Sequence, residues 1–252
     1  MTETHADRAP LARVDAASVD DLSRLRAEFT RFMLEYKFGI DEVTTKIAIL
    51  QEEFAHLHAY NPIEHVASRL KTPESLLAKV VRRGIDPSFE VIREQITDIA
   101  GIRVVCSFTS DVYRLSEMLS RQSDLTLLEM KDYIARPKPN GYRSLHALVQ
   151  VPVFLSAGPV PVTVEVQIRT IAMDFWASLE HKIFYKYAGG APDDVVASLT
   201  EAAETAHTLD EMMEHLHQRV HGEGGRVRSL PSPLEPDDRL LERLRAIRAS
   251  MR

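Results

Sequence analysis

Two carboxylates and a scattered set of cations are the groups in this 252-residue chain best suited to chemistry on phosphates. Asp98 stands at the polar entry to the apolar run 99–108. Glu165 lies within Val162-Thr-Val-Glu-Val-Gln-Ile-Arg169, the clearest alternation in the chain. In a strand, Val162, Val164, Val166 and Ile168 face one way, and Thr163, Glu165, Gln167 and Arg169 the other. A magnesium ion prefers hard oxygens and keeps waters and phosphate oxygens, so one or two carboxylates suffice to hold it. The cations come in two groups. Arg136-Pro-Lys-Pro-Asn-Gly-Tyr-Arg-Ser-Leu-His146 carries Arg136, Lys138 and Arg143, an Asn140-Gly141 turn, Tyr142 and His146. Lysine meets phosphate as a point charge and arginine as a planar fork. A tyrosine ring can stack on a base, aimed here by the turn. This reads as a nucleotide-binding loop, with an exposed-looking tyrosine. An ordinary hairpin turn with solvated charges accounts for the same residues.

Arg69, Lys71, Ser75 and Lys79 form the second group, around the start of a predicted helix. Thr72 suits the N-cap, Pro73 the first helical position and Gly84 the stop. Ser75 and Lys79 are four apart and share a helix face. An anion there would meet free backbone amides and the helix dipole as well. A solvated amphipathic helix is the plainer alternative, and Arg82 and Arg83 fit it, because cations near a C-terminus complement the dipole. Transfer between phosphates is mainly positioning and charge stabilisation, so two carboxylates bracketed by such cations make a sufficient set of parts.

Several elements must position these groups. Helical spacing places Leu22, Leu25, Phe29, Phe32 and Tyr36 on one stripe. Gly39 interrupts it, and a second helix carries Val43, Ile47, Leu50, Phe54 and Leu57 up to Asn61-Pro62. Residues 98–108 predict a buried strand in which Gly101 marks a bulge or a close backbone approach. A short helix over 110–122, a strand over 125–131 and a strand over 145–151 follow, with Pro152–Pro161 as a connecting turn. After the 162–169 strand, a helix over 171–187 is expected to turn Phe175, Leu179 and Ile183 inward, with Trp176 as a packing residue. A longer helix spans roughly 192–221.

Composition narrows the classes. The net charge of −6 does not advertise a nucleic-acid binder, so any polyanion site must be a local basic patch. The one cysteine, Cys106, sits in an apolar run and reads as a core thiol. No apolar run is long enough to span a bilayer, and residues 1–19 lack the apolar centre of a signal peptide, so the reading is cytoplasmic without membrane contact. No P-loop, zinc-ligand spacing or Gly-x-Ser-x-Gly elbow is present.

Four segments taken together carry a family resemblance: Asp98-Ile-Ala-Gly-Ile-Arg103, Lys138-Pro-Asn-Gly-Tyr-Arg-Ser-Leu-His146, Val164-Glu-Val-Gln-Ile-Arg-Thr170 and Ala172-Met-Asp-Phe-Trp-Ala-Ser-Leu-Glu-His181. In this order they resemble the synthetase domain of the RelA/SpoT family, over about residues 40 to 220. The chain is similar to a stand-alone small alarmone synthetase, without the His-Asp dyad of the family's hydrolase domain, so no hydrolase activity is expected. The resemblance implies an α+β fold, a mixed sheet flanked by helices and related to nucleotidyltransferases, with helical N- and C-terminal extensions. It implies a GTP/GDP diphosphokinase that transfers pyrophosphate from ATP to the ribose 3′-hydroxyl of GDP or GTP, giving (p)ppGpp and AMP in the stringent response. Asp98 and Glu165 would hold Mg²⁺, and Glu165 would also be the base that activates the hydroxyl. Arg69 and Arg103 would sandwich adenine, while Lys71, Ser75 and Lys79 would hold the ATP phosphates. Tyr142 would stack on guanine, Lys138 and His146 would meet the acceptor's phosphates or the transferred group, Lys131 would belong to the same GTP/GDP site, and Gln167 and Asp174 would line the guanosine pocket. A homotetramer is implied.

Two departures stand out. Lys131 occupies a position where relatives often carry Arg, which keeps the charge and loses the fork. His65-Val66-Ala67-Ser68, with Thr44 and Ala48 upstream, lacks the Phe, Thr and lysines of the product-activated subclass, so activation of that kind is not expected. The expected partition is a flexible leader over 1–19, a single synthetase domain over 20–221, a linker over 222–238 and a basic amphipathic helix over 239–252. That helix could dock on a partner subunit or on RNA, docking being preferred. A non-catalytic guanine-nucleotide or RNA-binding regulator on the same fold is the alternative function.

Overall fold

A computed structural model describes residues 16–58, 60–184, 192–222 and 238–250. Most of the expected leader and linker therefore lies outside the described residues. The elements in chain order are α1 (Ala16–Leu57), β1 (Ile63–Leu70), α2 (Pro73–Arg83), α3 (Phe89–Gln95), β2 (Ala100–Cys106), α4 (Thr109–Ser120), β3 (Thr126–Asp132), β4 (Leu145–Leu155), β5 (Gly158–Thr170), α5 (Ile171–Phe184), α6 (Asp193–Gly222) and α7 (Asp238–Ser250). Among the described residues, no helix is long and apolar enough to cross a membrane.

One five-stranded sheet runs in the order β1-β2-β5-β4-β3. Only β2 and β5 pair in parallel, and every other neighbour is antiparallel. The sheet is therefore mixed, as expected. The alternation in β5 is realised: Val162, Val164, Val166 and Ile168 are completely buried. Ile102 and Val104 of β2 and Ala147, Val149 and Val151 of β4 join them in one core. α1 lies across this face, with Phe32, Tyr36, Ile40, Val43, Ile47 and Phe54 turned inward. The opposite face carries the polar row of β5 and is partly covered by α5.

Several expectations need correction. α1 is continuous through Gly39 instead of breaking there. A Cβ at Gly39 would stand 2.6 Å from Val162 Cγ1, so glycine is present because helix and strand approach closely. Leu22, Leu25 and Leu57, the outer members of the two stripes, are exposed and lie outside the core. β1 is an edge strand that the sequence did not announce, because Glu64, His65, Ser68 and Arg69 break its apolar pattern. Pro152 and Pro161 lie within strands, opposite each other, and the turn is at Ser156-Ala157. Beyond Gln150 and Val164 the outer neighbours β3 and β2 have ended, so neither proline removes a ladder bond from a third strand. On α5 the buried residues are Met173, Trp176 and Ala177, whereas Phe175 is 66 % exposed and Leu179 and Ile183 are also exposed. Trp176 is a packing residue, its Nε1 donating to the Leu199 carbonyl at 2.9 Å. Cys106 is fully buried, and burial pushes its thiol pKa up.

The Gly39 contact yields a prediction of unusual sign. At an exposed helix position, glycine to alanine stabilises by about 1 kcal/mol. Here Gly39→Ala should destabilise by roughly 1–3 kcal/mol through overpacking. Urea denaturation measures it, and a stabilised variant would contradict the close approach.

Candidate active site

Strand register carries the candidate side chains into two neighbouring rows on the open face. One row runs Ala67, Arg103, Gln167, His146, Lys131 across β1, β2, β5, β4 and β3. The next runs Arg69, Gly101, Glu165, Leu148, Glu129. Gly101 is neither a bulge nor a tight contact: its pairing is regular, and a Cβ there would meet only the Arg69 carbonyl, at 3.7 Å. Its missing side chain leaves clearance between Arg69 and Glu165. A cleft of about 640 Å³ opens there, lined by Arg69, Arg103, Tyr142, Glu165, Gln167 and Arg169 from the sheet and the loop before β4, and by Ser178, Glu180 and Lys182 from α5.

Asp98 precedes β2 and faces α2. Its carboxylate accepts from Lys79 Nζ at 2.6 Å and lies 3.1 Å from Lys71 Nζ. Desolvation acts to raise its pKa, but the bonds from Lys79 and Lys71 outweigh it and hold the group below the usual carboxylate range. Thr72 caps α2 by accepting from the Ser75 amide, Pro73 opens the helix and Gly84 ends it at φ 62°. Ser75 is thereby held at the helix N-terminus, as expected.

Glu165 is also held below its usual range. The hydrogen bond with His146 is the largest cause; desolvation opposes it, and the bond from Gln167 adds to the lowering. His146 Nδ1 lies 3.3 Å from Glu165 Oε1, and Gln167 Nε2 donates to Oε2 at 3.0 Å. The charge on Asp98 acts on Glu165 in the opposite, raising sense, so the two carboxylates are close enough to repel. Two ionised, mutually repelling hard-oxygen donors suit a divalent cation. Among the described residues no group of three or more His, Cys, Asp or Glu side chains is placed to hold a metal.

Tyr142 corrects the sequence reading, because it is half-buried instead of exposed. Its ring packs towards Trp176, beside Ala177, Ala203 and Ala206. Burial pushes its pKa up, against the nearby Arg169 charge. Lys138 Nζ stands 4.6 Å from the Tyr142 ring centre and 4.7 Å from that of Tyr133. The loop is pinned on α6: Gly141, at φ 85°, would place a Cβ 2.5 Å from Ala203 Cβ, and Arg143 pairs with Glu204 at 3.1 Å. Asn140 Nδ2 donates to Glu180 of α5 at 3.1 Å.

Asp174 pairs with Arg169 at 3.1 Å and with Arg103 at 3.3 Å, and so links β5 to β2. Lys131 stands apart from the cleft lining, paired with Glu129 at 2.9 Å and half exposed. The sequence reading assigned no role to Arg169, although its place in phase with Glu165 and Gln167 was the available signal. Arg143, read as a cation for phosphate, and Asn140 instead hold the loop on Glu204 and Glu180, which lie on helices far along the chain and gave no local signal.

Residues 68–190 match the region found in RelA / SpoT proteins. A GTP pyrophosphokinase of Bacillus subtilis, YwaC, is 46 % identical over 202 residues, which are 80 % of this chain and 96 % of that protein. The crystal structure of small alarmone synthetase 2 from B. subtilis superposes with a TM-score of 0.70 at 46 % identity, over 77 % of this chain and 100 % of that one. Small alarmone synthetase 1 of the same organism, crystallised with its product pppGpp, superposes at 0.71 with 37 % identity, over 77 % and 98 % of the two chains.

The lowered carboxyl pKa values fix the sign of an acid effect. A group depressed in the folded state contributes stability above its unfolded pKa, about 4 here, and loses it as pH falls through the folded value. Acidification below about pH 4 should therefore lower the urea midpoint of the wild type more steeply than that of an Asp98→Asn/Glu165→Gln double variant. Parallel curves would contradict these environments.

Proposed function

The chain belongs to the RelA/SpoT family, and from that premise we propose that it is a GTP pyrophosphokinase making (p)ppGpp. The acceptor's ribose 3′-oxygen bonds to the β-phosphorus of ATP, the bond between that phosphorus and the α,β-bridging oxygen breaks, and AMP leaves. The observation that carries this reading is the meeting of Glu165, Arg69, Arg103, Gln167 and Tyr142 in one cleft, with Asp98 and the α2 lysines beside it.

Arg69 and Arg103 are diagonal neighbours on antiparallel strands, a separation of about 7–8 Å and somewhat less at Cβ. That spacing suits a flat ring between two guanidinium planes, so they clamp adenine. Lys71, Ser75 and Lys79 take the ATP phosphates at the N-terminus of α2, where free amides and the dipole add to the cations. The lysines now on Asp98 would then exchange a carboxylate for phosphate oxygens. Tyr142 takes the guanine, with Gln167 and Asp174 around the nucleoside. Lys138, Lys131 and His146 meet the acceptor's phosphates or the transferred group. Asp98 and Glu165 would hold Mg²⁺, which supplies charge neutralisation to the phosphates. Glu165 receives the hydroxyl proton. Its lowered pKa makes it a weak base, so orienting the hydroxyl is its larger contribution.

For assembly, an apolar groove of about 1010 Å³ between α5 and α6 is lined by Phe175, Leu179, Ile183, Leu209 and Met213. These half-exposed side chains form a seam suited to a second copy of the chain, consistent with a homotetramer. α7 would serve as a further docking element, with RNA as its alternative partner.

Purified protein with ATP, Mg²⁺ and GDP, GTP or GMP in turn should release AMP in step with a more highly phosphorylated guanosine, resolved by anion exchange. Glu165→Gln should lower turnover by about 10²–10⁴ while nucleotide binding persists. Wild-type-like turnover in that variant would contradict the assignment. Leu179→Glu with Met213→Glu should reduce the mass found by sedimentation, and an unchanged oligomer would remove the groove from assembly.

A further inference from the structure

The polar side chains of the open face close into a ring of hydrogen bonds, and its direction is set by Arg169. The Arg169 side chain is 9 % exposed. A guanidinium only donates. Its Nη2 donates to Tyr142 Oη at 2.7 Å and to Gln167 Oε1 at 2.6 Å. Nη1 reaches Asp174 at 3.1 Å, and Nε donates to Ser144 Oγ at 3.4 Å.

Two arms leave this fork. Along one, Gln167 accepts through Oε1, which fixes its amide orientation, so Nε2 donates to Glu165 Oε2 at 3.0 Å. Along the other, the Tyr142 hydroxyl accepts from Arg169, which leaves its single proton free for His146 Nε2, 2.7 Å away. With Nε2 accepting, a neutral imidazole carries its proton on Nδ1. That nitrogen faces Glu165 Oε1 at 3.3 Å. Both arms therefore start on one guanidinium and end on the two oxygens of one carboxylate.

We propose that Arg169 is the positioning residue of the acceptor site: through Tyr142 it sets the tautomer of His146, through Gln167 it sets an amide, and together these hold Glu165 in one orientation. This rests on the reading of Glu165 given above. Lysine cannot replace the fork, because its donors radiate from one atom.

The tautomer of His146 can be read directly from imidazole ¹⁵N shifts in protein free of nucleotide and metal, its signals identified by their loss in His146→Asn. The wild type should show the Nδ1–H form. Arg169→Met and Tyr142→Phe should both lose it, and Tyr142→Phe does so while the guanidinium keeps its bonds to Gln167 and Asp174. In turnover, Arg169→Met should lower kcat by about tenfold to a hundredfold and raise the KM for GDP, with the KM for ATP within about twofold of wild type. Arg169→Lys should fall between the two, because one arm can be rebuilt.

An unchanged tautomer in Tyr142→Phe, or protons on both nitrogens in the wild type, would overturn the relay. So would kcat and GDP KM within about twofold of wild type in Arg169→Met. The spectra need no substrate, so a wild type that shows the Nδ1–H form yet makes no AMP would overturn the transfer reaction alone.

Discussion

The parallel pairing of β2 with β5, Gly101 against Glu165 and Arg103 against Gln167, is the constraint on which the site depends. It is the one parallel contact in an otherwise antiparallel sheet, and it sets Arg103 of β2 beside the polar row of β5. Strand side chains alternate with a period of two, so a slip of one residue would bury Glu165, Gln167 and Arg169 and expose four core residues. The completely buried Val162, Val164, Val166 and Ile168 therefore fix the register, and the register fixes the cleft. Packing on one face specifies chemistry on the other. The close passage of α1 over Val162 at Gly39 belongs to the same constraint.

Electrostatics on the open face follow from that placement. The chain is acidic overall, yet three carboxylates near the cleft are matched locally: Asp98 by two lysines, Glu165 by His146 and Gln167, and Asp174 by two arginines. Such half-buried charges would be costly if left alone. The matching side chains are also those assigned to phosphates and bases, so bound nucleotides would take over partners that now neutralise the empty face. The second, smaller core around Trp176 and Ala203 holds the Tyr142 loop from above, tying the acceptor side to α5 and α6.

Much of this was legible in the sequence, for physical reasons. The 162–169 alternation is a strong signal because one face is buried and the other polar. The caps of α2 are local chemistry, and they appear as written. What was hidden depends on the third dimension. β1 pairs on one side only, so its polar residues gave no strand pattern. Pro152 and Pro161 read as a turn, although they sit where the hairpin has outrun its neighbours. α5 turns Trp176 inward instead of Phe175, because its partner is α6, some twenty residues further along. Arg169 was visible as the last member of a polar row, but its fork onto Tyr142 and Gln167 exists only once β4 and β5 lie together.

The central claim is that one sheet face receives both nucleotides and brings the acceptor hydroxyl to Glu165. A crystal structure of the Glu165→Gln variant with ATP, Mg²⁺ and GDP tests it most directly. Adenine should lie between Arg69 and Arg103 and guanine against Tyr142, with the ribose 3′-hydroxyl within about 2.6–3.2 Å of the residue 165 side chain. Either nucleotide bound on the helical face or in the α5–α6 groove, with the cleft empty, would contradict the account.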